Sequence, residues 1–144
     1  MITLEMARQL KEVGLQWIPA QLDTFGIPDR NLDDKIFVIS DMLVTAEKLG
    51  GMPIVSFQGA TEWALDYIVT AETVWIPSEG QLRQRLEAAL LEGGRPELHL
   101  SVGLNGCRLE CSYHDRRIFL EGTDPEELYA RALLHILKVS RSEK

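Results

Sequence analysis

Long apolar runs, an excess of positive charge and catalytic sequence motifs are all missing from this chain of 144 residues. No run approaches the roughly 18 apolar residues that a membrane-spanning helix needs. The N-terminus also lacks the basic start and apolar stretch of a signal peptide. We therefore expect a cytoplasmic protein without a membrane segment.

Positive charge is scarce, and it is unevenly distributed. The formal net charge is −7; residues 1–72 hold 11 acidic and 5 basic side chains, whereas residues 73–144 hold 11 and 10. Nucleic-acid binders obtain much of their affinity from Lys and Arg side chains that neutralise phosphates. The composition therefore favours a protein partner or self-association, a homodimer included, over a nucleic acid.

Cysteine is rare, and the two cysteines do not form a recognised motif. Cys107 and Cys111 have C-x3-C spacing rather than the C-x2-C of metal knuckles and redox pairs. On one strand they would lie about 13 Å apart, too far for a disulfide. Strand parity places His99 and His114 on the opposite face, so four zinc ligands cannot converge. We predict reduced, buried thiols, with no metal and no cofactor.

The composition, with 45% hydrophobic and 26% charged residues, is that of an ordinary globular domain. We predict an α+β fold in a single domain, residues 1–144, with sub-layers at 1–94 and 95–144. Its elements would be an N-terminal helix, short mixed or antiparallel strands, two middle helices and a C-terminal β-β-β-α unit. We predict an ordered loop with short extended pieces at 15–34 and strands at 35–40, 53–58 and 73–76. The segment 41–49 is predicted as a strand or, less favoured, a helix. The two middle helices are predicted at 61–69 and after Ser78.

The C-terminal unit has the clearest pattern, because apolar residues alternate on both sides of Asn105-Gly106. With these two residues as the hairpin loop, Leu104 lies opposite Cys107 and Leu100 opposite Cys111. A second turn at Asp115-Arg116 then places Ile118 opposite Tyr113. A final helix follows, capped by Asp124 and frayed from Ser140 onward.

Two surfaces are candidates for ligand or partner binding. The first is the polar face of the C-terminal sheet, on which His99 and His114 are diagonal neighbours in the predicted register. Its other candidate residues are Arg108, Arg117 and Phe119. The second is the acidic, aromatic segment of the predicted helix at 61–69, where Glu62 and Asp66 flank Trp63 and Tyr67 follows.

Several stretches resemble a small, uncharacterised bacterial family over nearly the whole chain. They are Ile27-Pro28-Asp29-Arg30, Phe37-Val38-Ile39-Ser40-Asp41-Met42, Thr61-Glu62-Trp63-Ala64-Leu65-Asp66 and Val74-Trp75-Ile76-Pro77 with Gln81-Leu82. Some members carry the label "pilus assembly", which taken literally implies a Walker-type ATPase. This sequence has no phosphate loop and is too short for one. The resemblance implies no activity and no site residues.

The sequence leaves two hypotheses of function. The first is a non-enzymatic binding, interaction or regulatory module, which the lack of catalytic motifs favours. The second is a small hydrolase or ligand-processing enzyme. Its base would be Glu62, Asp66 or a histidine, in a cleft between the two halves of the chain.

Overall fold

The computed structural model describes residues 1–28, 32–40, 44–57 and 67–142. Within these ranges three α-helices and nine short strands form the predicted α+β fold, and the strands make three antiparallel sheets. In chain order the elements are α1 (Leu4–Glu12), β1 (Thr24–Ile27), β2 (Leu32–Val38), β3 (Val44–Leu49), β4 (Met52–Phe57), β5 (Tyr67–Val69), β6 (Val74–Ile76), α2 (Glu79–Glu92), β7 (Leu98–Gly103), β8 (Gly106–Tyr113), β9 (Arg116–Gly122) and α3 (Pro125–Ser142).

The chain divides into two compact units. One combines Met1–Leu15 with Pro77–Lys144, and the other is Gln16–Ile76. The first unit joins α1 and α2 to the C-terminal strands and α3, so both helices belong with the β-β-β-α unit. The single domain with sub-layers at 1–94 and 95–144 stays a prediction. In the described part of the chain, no helix is long and apolar enough to cross a membrane.

Local capping chemistry fixes where the helices of the first unit begin. The Thr3 hydroxyl accepts a hydrogen bond from the Met6 amide at 3.1 Å, which starts α1, the predicted N-terminal helix. Ser78 and Gln81 form a reciprocal capping box at the start of α2, at 2.9 and 3.2 Å. Asp124 caps α3 through the amide of Glu126. The helix α3 extends to Ser142, and the fraying expected from Ser140 onward stays a prediction.

The core of the first unit lies between its helices and the inner face of the β7-β8-β9 sheet. Alternate residues of β8 are buried, as its apolar pattern predicts. Tyr113 packs so closely on the end of α2 that a β-carbon at Gly93 would lie 2.5 Å from its ring. The largest fully buried side chains of this unit are Leu10, Leu82, Leu86, Leu90, Leu109, Leu128, Leu133 and Ile136.

The predicted register of the first C-terminal hairpin is wrong by two residues. Val102, not Leu104, lies opposite Cys107, and Leu100 pairs with Leu109. The loop is Leu104-Asn105, and Gly106 carries the positive φ of 131° while Asn105 does not. The turn is therefore not the type that needs a positive φ at both central residues. Because a shift of two preserves strand parity, the apolar residues that stay in the strands keep the same face, whereas Leu104 lies in the loop and is exposed.

The second turn is displaced by one residue from its prediction, which shifts the register of β8 and β9 by two. Tyr113 pairs with Arg116 and Cys111 with Ile118, so the loop is His114-Asp115. Both loop residues have positive φ, 46° and 59°, as a type I′ turn requires. His and Asp adopt this conformation more readily than most residues do. Ile118 still reaches the inner face, where it is buried.

The second unit contains two small sheets, with strand orders β2-β1-β6 and β3-β4-β5. The strands predicted at 35–40, 53–58 and 73–76 are confirmed within one to three residues, and the strand at 41–49 is confirmed from residue 44 onward. The helix predicted at 61–69 is wrong at its end, because residues 67–69 are strand β5 and pair with β4. The rest of that helix lies outside the described residues.

Aromatic packing organises the β2-β1-β6 sheet. Phe25 of β1 is fully buried, and its ring lies 5.5 Å from that of Phe37 and 5.8 Å from that of Trp17. Trp17 in turn stacks on Trp75, with centroids 6.3 Å apart and planes inclined by 5°. Aromatic contacts of this kind contribute roughly 0.5–1.5 kcal/mol each beyond area burial. The segment predicted as an ordered loop at 15–34 is thus held by Trp17 and supplies β1.

Candidate functional site

The acidic, aromatic candidate surface falls mostly outside the described residues. Glu62, Trp63 and Asp66 are not among them, so their predicted grouping stays a prediction. Tyr67 is described through its backbone, which begins β5 opposite Ser56. The carboxylate base of the hydrolase hypothesis accordingly has no described geometry.

The outer face of the C-terminal sheet carries most of the second candidate surface. His99 lies opposite Glu110, and Glu110 opposite Phe119, in one row across the three strands. Arg108 and Arg117 share this face by strand parity. His99, Arg108, Arg117 and Phe119 are all exposed. Four of the five residues proposed for this face therefore share it.

His114 is the exception, and its predicted neighbourhood with His99 is wrong. It occupies the β8–β9 turn, where its ring contacts Tyr113 edge-on at 4.3 Å between centroids. The β7–β8 register places His99 opposite Glu110, four residues before His114, and the β8–β9 loop takes His114 out of the strand. The two histidines consequently cannot act on one ligand as diagonal neighbours.

Charges on the outer face are arranged in short cross-strand pairs. Arg108 Nε lies 3.1 Å from Glu121 Oε1, and the guanidinium of Arg117 lies 3.3 Å from Glu110 Oε2. These side chains are 39–75% exposed, so water screens the attraction. Exposed pairs of this kind stabilise a fold by roughly 0–1 kcal/mol, and they mainly order the surface.

The sheet has two edge strands, β7 and β9, each of which pairs only with β8 among the described strands. Of the two, β9 is the one that borders α3. The Gly122 carbonyl faces β8: it lies 3.4 Å from Cys107 Sγ, and a β-carbon at Gly106 would come within 2.6 Å of it. Successive backbone groups of a strand point to opposite sides. The N–H and C=O groups of Glu121, Phe119 and Arg117 therefore point away from β8.

The position of Arg131 agrees with that assignment. Its guanidinium reaches from α3 and donates a hydrogen bond to the Glu121 carbonyl at 3.4 Å. A donor from outside the sheet can bind that oxygen because it is directed outward. This contact covers one carbonyl of the edge.

An open groove of about 440 Å³ lies between β9 and α3. Its floor is apolar, with Leu134 nearly buried, and Phe119 stands on its rim with 49% of its surface exposed. Much of its lining is cationic. The lining residues are Arg117, Ile118, Phe119 and Leu120 from the strand and Arg131, Leu134, His135 and Lys138 from the helix.

The sequence interpretation missed the contribution of α3 to this groove. Arg131, His135 and Lys138 are not among the candidate residues predicted from the sequence. The available signal was helical spacing: residues 131, 135 and 138 recur at intervals of four and three, which places them on one side of a helix. What the sequence did not indicate is that this side borders β9.

A second open cavity, of about 660 Å³, surrounds the β7–β8 turn. Its lining is mostly small or backbone groups, and its two charged side chains, Arg108 and Glu121, pair with each other. Leu104 and Val102 beside it are exposed. Both charged side chains of the cavity already neutralise each other, so its chemistry favours no particular ligand.

The cysteines are free and buried, as predicted. Burial raises the pKa of Cys111 to about 11. Burial, with smaller contributions from Asp124 and Glu127, also raises the pKa of Cys107. Both side chains are therefore thiols at neutral pH, and the thiolate is the nucleophile and metal ligand. Among the described residues, no three His, Cys, Asp or Glu side chains are placed to hold a metal ion.

Comparison with protein-family models, curated proteins and solved structures finds no match for this chain. The resemblance to the bacterial family with the "pilus assembly" label stays a prediction.

Proposed function

We propose that this chain is a non-enzymatic protein-interaction module that adds an extended segment of its partner to the free edge of β9. One observation carries the proposal: the backbone groups of Arg117, Phe119 and Glu121 point outward beside an open groove. Unpaired edges of this kind recruit further strands, and main-chain hydrogen bonds then supply affinity.

The side chains beside the edge would select the segment. Toward α3, Ile118 and Leu120 of β9 border the nearly buried Leu134, which suits apolar residues on the partner. On the outer face, Phe119 stands between Arg117 and Glu121, which suits an aromatic or aliphatic residue flanked by charges. Alternate residues of the segment would thus meet two different environments.

The edge is protected against indiscriminate pairing, but only in part. Arg116 and Arg117 place charges at its beginning, a common way of discouraging aggregation. Arg131 occupies the Glu121 carbonyl near its end. The centre of the strand, at Phe119, is left open. A short edge with charged ends and an apolar centre favours a partner of matching pattern.

The proposal includes a cytoplasmic location. Two buried free thiols in a chain of this size suit a reducing compartment, where disulfides are rare.

A synthetic peptide of alternating Val and Glu, mixed with the whole protein, tests the proposal. Hydrogen exchange would be followed at single amides by NMR. We expect slower exchange at Arg117, Phe119 and Glu121 and little change at Ile118 and Leu120, whose amides face β8. The matched control is the same peptide with every backbone nitrogen methylated, which has no N–H to donate along either edge and should protect nothing.

Two variants separate main-chain from side-chain binding. Phe119→Pro removes the outward N–H, and proline is tolerated on an edge strand when its N–H side faces solvent. Phe119→Ala keeps that N–H. We expect the alanine variant to bind the peptide and the proline variant not to bind it. Equal binding by both, or equal protection by the methylated peptide, would overturn the proposal.

A further inference from the structure

We infer that the segment that occupies this edge is β9 of a second copy of the chain, in an antiparallel arrangement centred on Phe119. The inference rests on the proposed function and names its partner. It follows from the sequence of β9, Arg116–Gly122, which is complementary to itself when a two-fold axis passes through its middle residue.

The two-fold axis matches the side chains in each pair. Phe119 lies opposite Phe119 of the second copy, and Ile118 lies opposite Leu120. Arg117 lies opposite Glu121, and this pair occurs twice because of the symmetry. Aromatic, aliphatic and opposite-charge pairs are the cross-strand combinations that stabilise antiparallel sheets.

The backbone supports the same arrangement. The N–H and C=O groups of Arg117, Phe119 and Glu121 point outward, so the residues that meet across the axis are those whose backbone groups are not directed at β8. Residues directly opposite in such positions exchange two hydrogen bonds. The Glu121 carbonyl has a second lone pair, so it can accept from the new strand while it retains Arg131.

The ion pairs on the outer face would continue across the new boundary. Within one chain, Glu121 is paired with Arg108 and Arg117 with Glu110. Placing Arg117 of one copy beside Glu121 of the other joins these pairs into one row. The row runs from Arg108 and Glu121 of the first copy to Arg117 and Glu110 of the second, so the charges alternate in sign. Each charge is then flanked by opposite charges, and such networks are more effective than isolated exposed pairs.

Neighbouring registers lack this match. Moving the axis to Ile118 puts Arg117 opposite Phe119 and sets Glu121 against Asp115, which are like charges. Moving it to Leu120 puts Phe119 opposite Glu121. The register centred on Phe119 is therefore the one in which no charge faces an apolar or like-charged residue within Arg117–Glu121.

Association would also cover apolar surface that is exposed in the single chain. Phe119 is 49% exposed, and its counterpart in the second copy lies directly against it. Arg131 and Lys138 of α3 would approach the same groups of the second copy, which opposes association. The Lys138 side chain is long enough to turn its charged end to water, and Arg131 stays bound to the Glu121 carbonyl of its own chain. The dimer is accordingly expected to depend on β9 and not on α3.

Disulfide trapping of the full chain tests the register directly. In Phe119→Cys, the two new thiols would face each other at about 5.5 Å between α-carbons, within the range of a disulfide. We expect a cross-linked dimer on mild oxidation. Ser101→Cys, on the same face but on β7, is the matched control and should stay monomeric. Cys107 and Cys111 are buried and should not interfere.

Charge reversal tests the pairing by a second route. Arg117→Glu alone and Glu121→Arg alone should each lower dimer affinity about tenfold in light scattering, because both symmetric pairs become repulsive. The double variant restores opposite charges and should recover the affinity. Thermal unfolding of each variant separates loss of the dimer from loss of the fold.

The outcomes distinguish this inference from the proposed function. A protein that is monomeric at high concentration, with no Phe119→Cys cross-link, overturns the second copy as partner. If the Val-Glu peptide still protects the outward amides of that monomer, the proposed function stands with another partner. If neither a second copy nor the peptide protects those amides, both ideas fail.

Discussion

The indole N–H of Trp17 donates a hydrogen bond of 2.9 Å to Oδ2 of Asp23, a carboxylate that is 5% exposed. The same oxygen accepts the amide of Ala20 at 3.1 Å. The Asp23 carbonyl accepts a hydrogen bond from the Ile39 amide, beside the β1–β2 pair. One buried carboxylate thus connects the segment after α1 to the sheet, while Trp17 places its ring against Phe25 and Trp75.

Removing the indole donor should destabilise the protein without removing an aromatic ring. We expect Trp17→Phe to lower the free energy of unfolding by about 1–3 kcal/mol, since a buried acceptor loses one of its donors. Denaturant unfolding measures the change. The control is a double-mutant cycle with Asp23→Ala, in which a coupling energy of about 0.5–3 kcal/mol is expected. Simple additivity would mean that the hydrogen bond contributes nothing.

The register of β7 and β8 makes two nearby leucines very different in their sensitivity to substitution. Leu109, opposite Leu100, is fully buried, whereas Leu104 is fully exposed in the turn. We expect Leu109→Ala to reduce stability by about 2–5 kcal/mol through lost burial and a cavity. Leu104→Ala should stay within about 0.5 kcal/mol of the parent protein. Similar effects of the two substitutions on urea unfolding would contradict the register.

The sequence predicted the helix starts well because each depends on a few neighbouring residues. Thr3, Ser78 with Gln81, and Asp124 act through local hydrogen bonds that a residue pattern reveals. The hairpin registers failed for the opposite reason. Asn105-Gly106 suits more than one turn geometry, and a slip of two residues leaves the apolar alternation unchanged. The pattern therefore indicated the faces of the strands but not their pairing.

The residues that line the groove between β9 and α3 could be predicted even less from the sequence. Phe119 and Arg117 were assigned to one face from strand parity, and the structure places them there. Their association with Arg131, His135 and Lys138 depends on how α3 packs on the sheet, which no local pattern encodes. The direction of the β9 backbone groups follows from the register, so it could not be inferred before the turns were known.

Gly106 should tolerate no side chain, because its conformation and its surroundings both oppose one. Its φ is 131°, and a β-carbon there would lie 2.6 Å from the Gly122 carbonyl oxygen. We expect Gly106→Ala to lower stability by about 1–3 kcal/mol. Gly103→Ala, at the other side of the same turn, meets only an atom at 3.9 Å and should be nearly neutral. Equal melting temperatures would disprove this account of the turn.

The β8–β9 turn offers a stabilising substitution. Asp115 has a φ of 59°, which glycine adopts without the steric penalty of a side chain. We expect Asp115→Gly to raise stability by up to about 1 kcal/mol, as Gly is preferred in type I′ turns. Arg116→Gly, one residue later in β9, should instead lower stability because it weakens the strand. A fall in melting temperature for Asp115→Gly would argue against the type I′ turn.

Burial of Cys111 makes stability depend on pH in the alkaline range. Burial raises the pKa of this thiol to about 11 in the folded chain, whereas an unfolded cysteine ionises near 8.5. The unfolded state therefore loses its proton first, and this contribution to stability, complete below about pH 8.5, declines as pH rises toward 11. We expect the melting temperature to fall as the pH is raised from about 8.5 to 11, and to fall less steeply in Cys111→Ala, which has no thiol to ionise.

Tyr129, whose pKa burial also raises, is present in both proteins, so its effect cancels in the comparison. Equal slopes for the two proteins, or rapid labelling of native Cys111 by a thiol reagent at pH 8, would show that the thiol is accessible and only weakly perturbed.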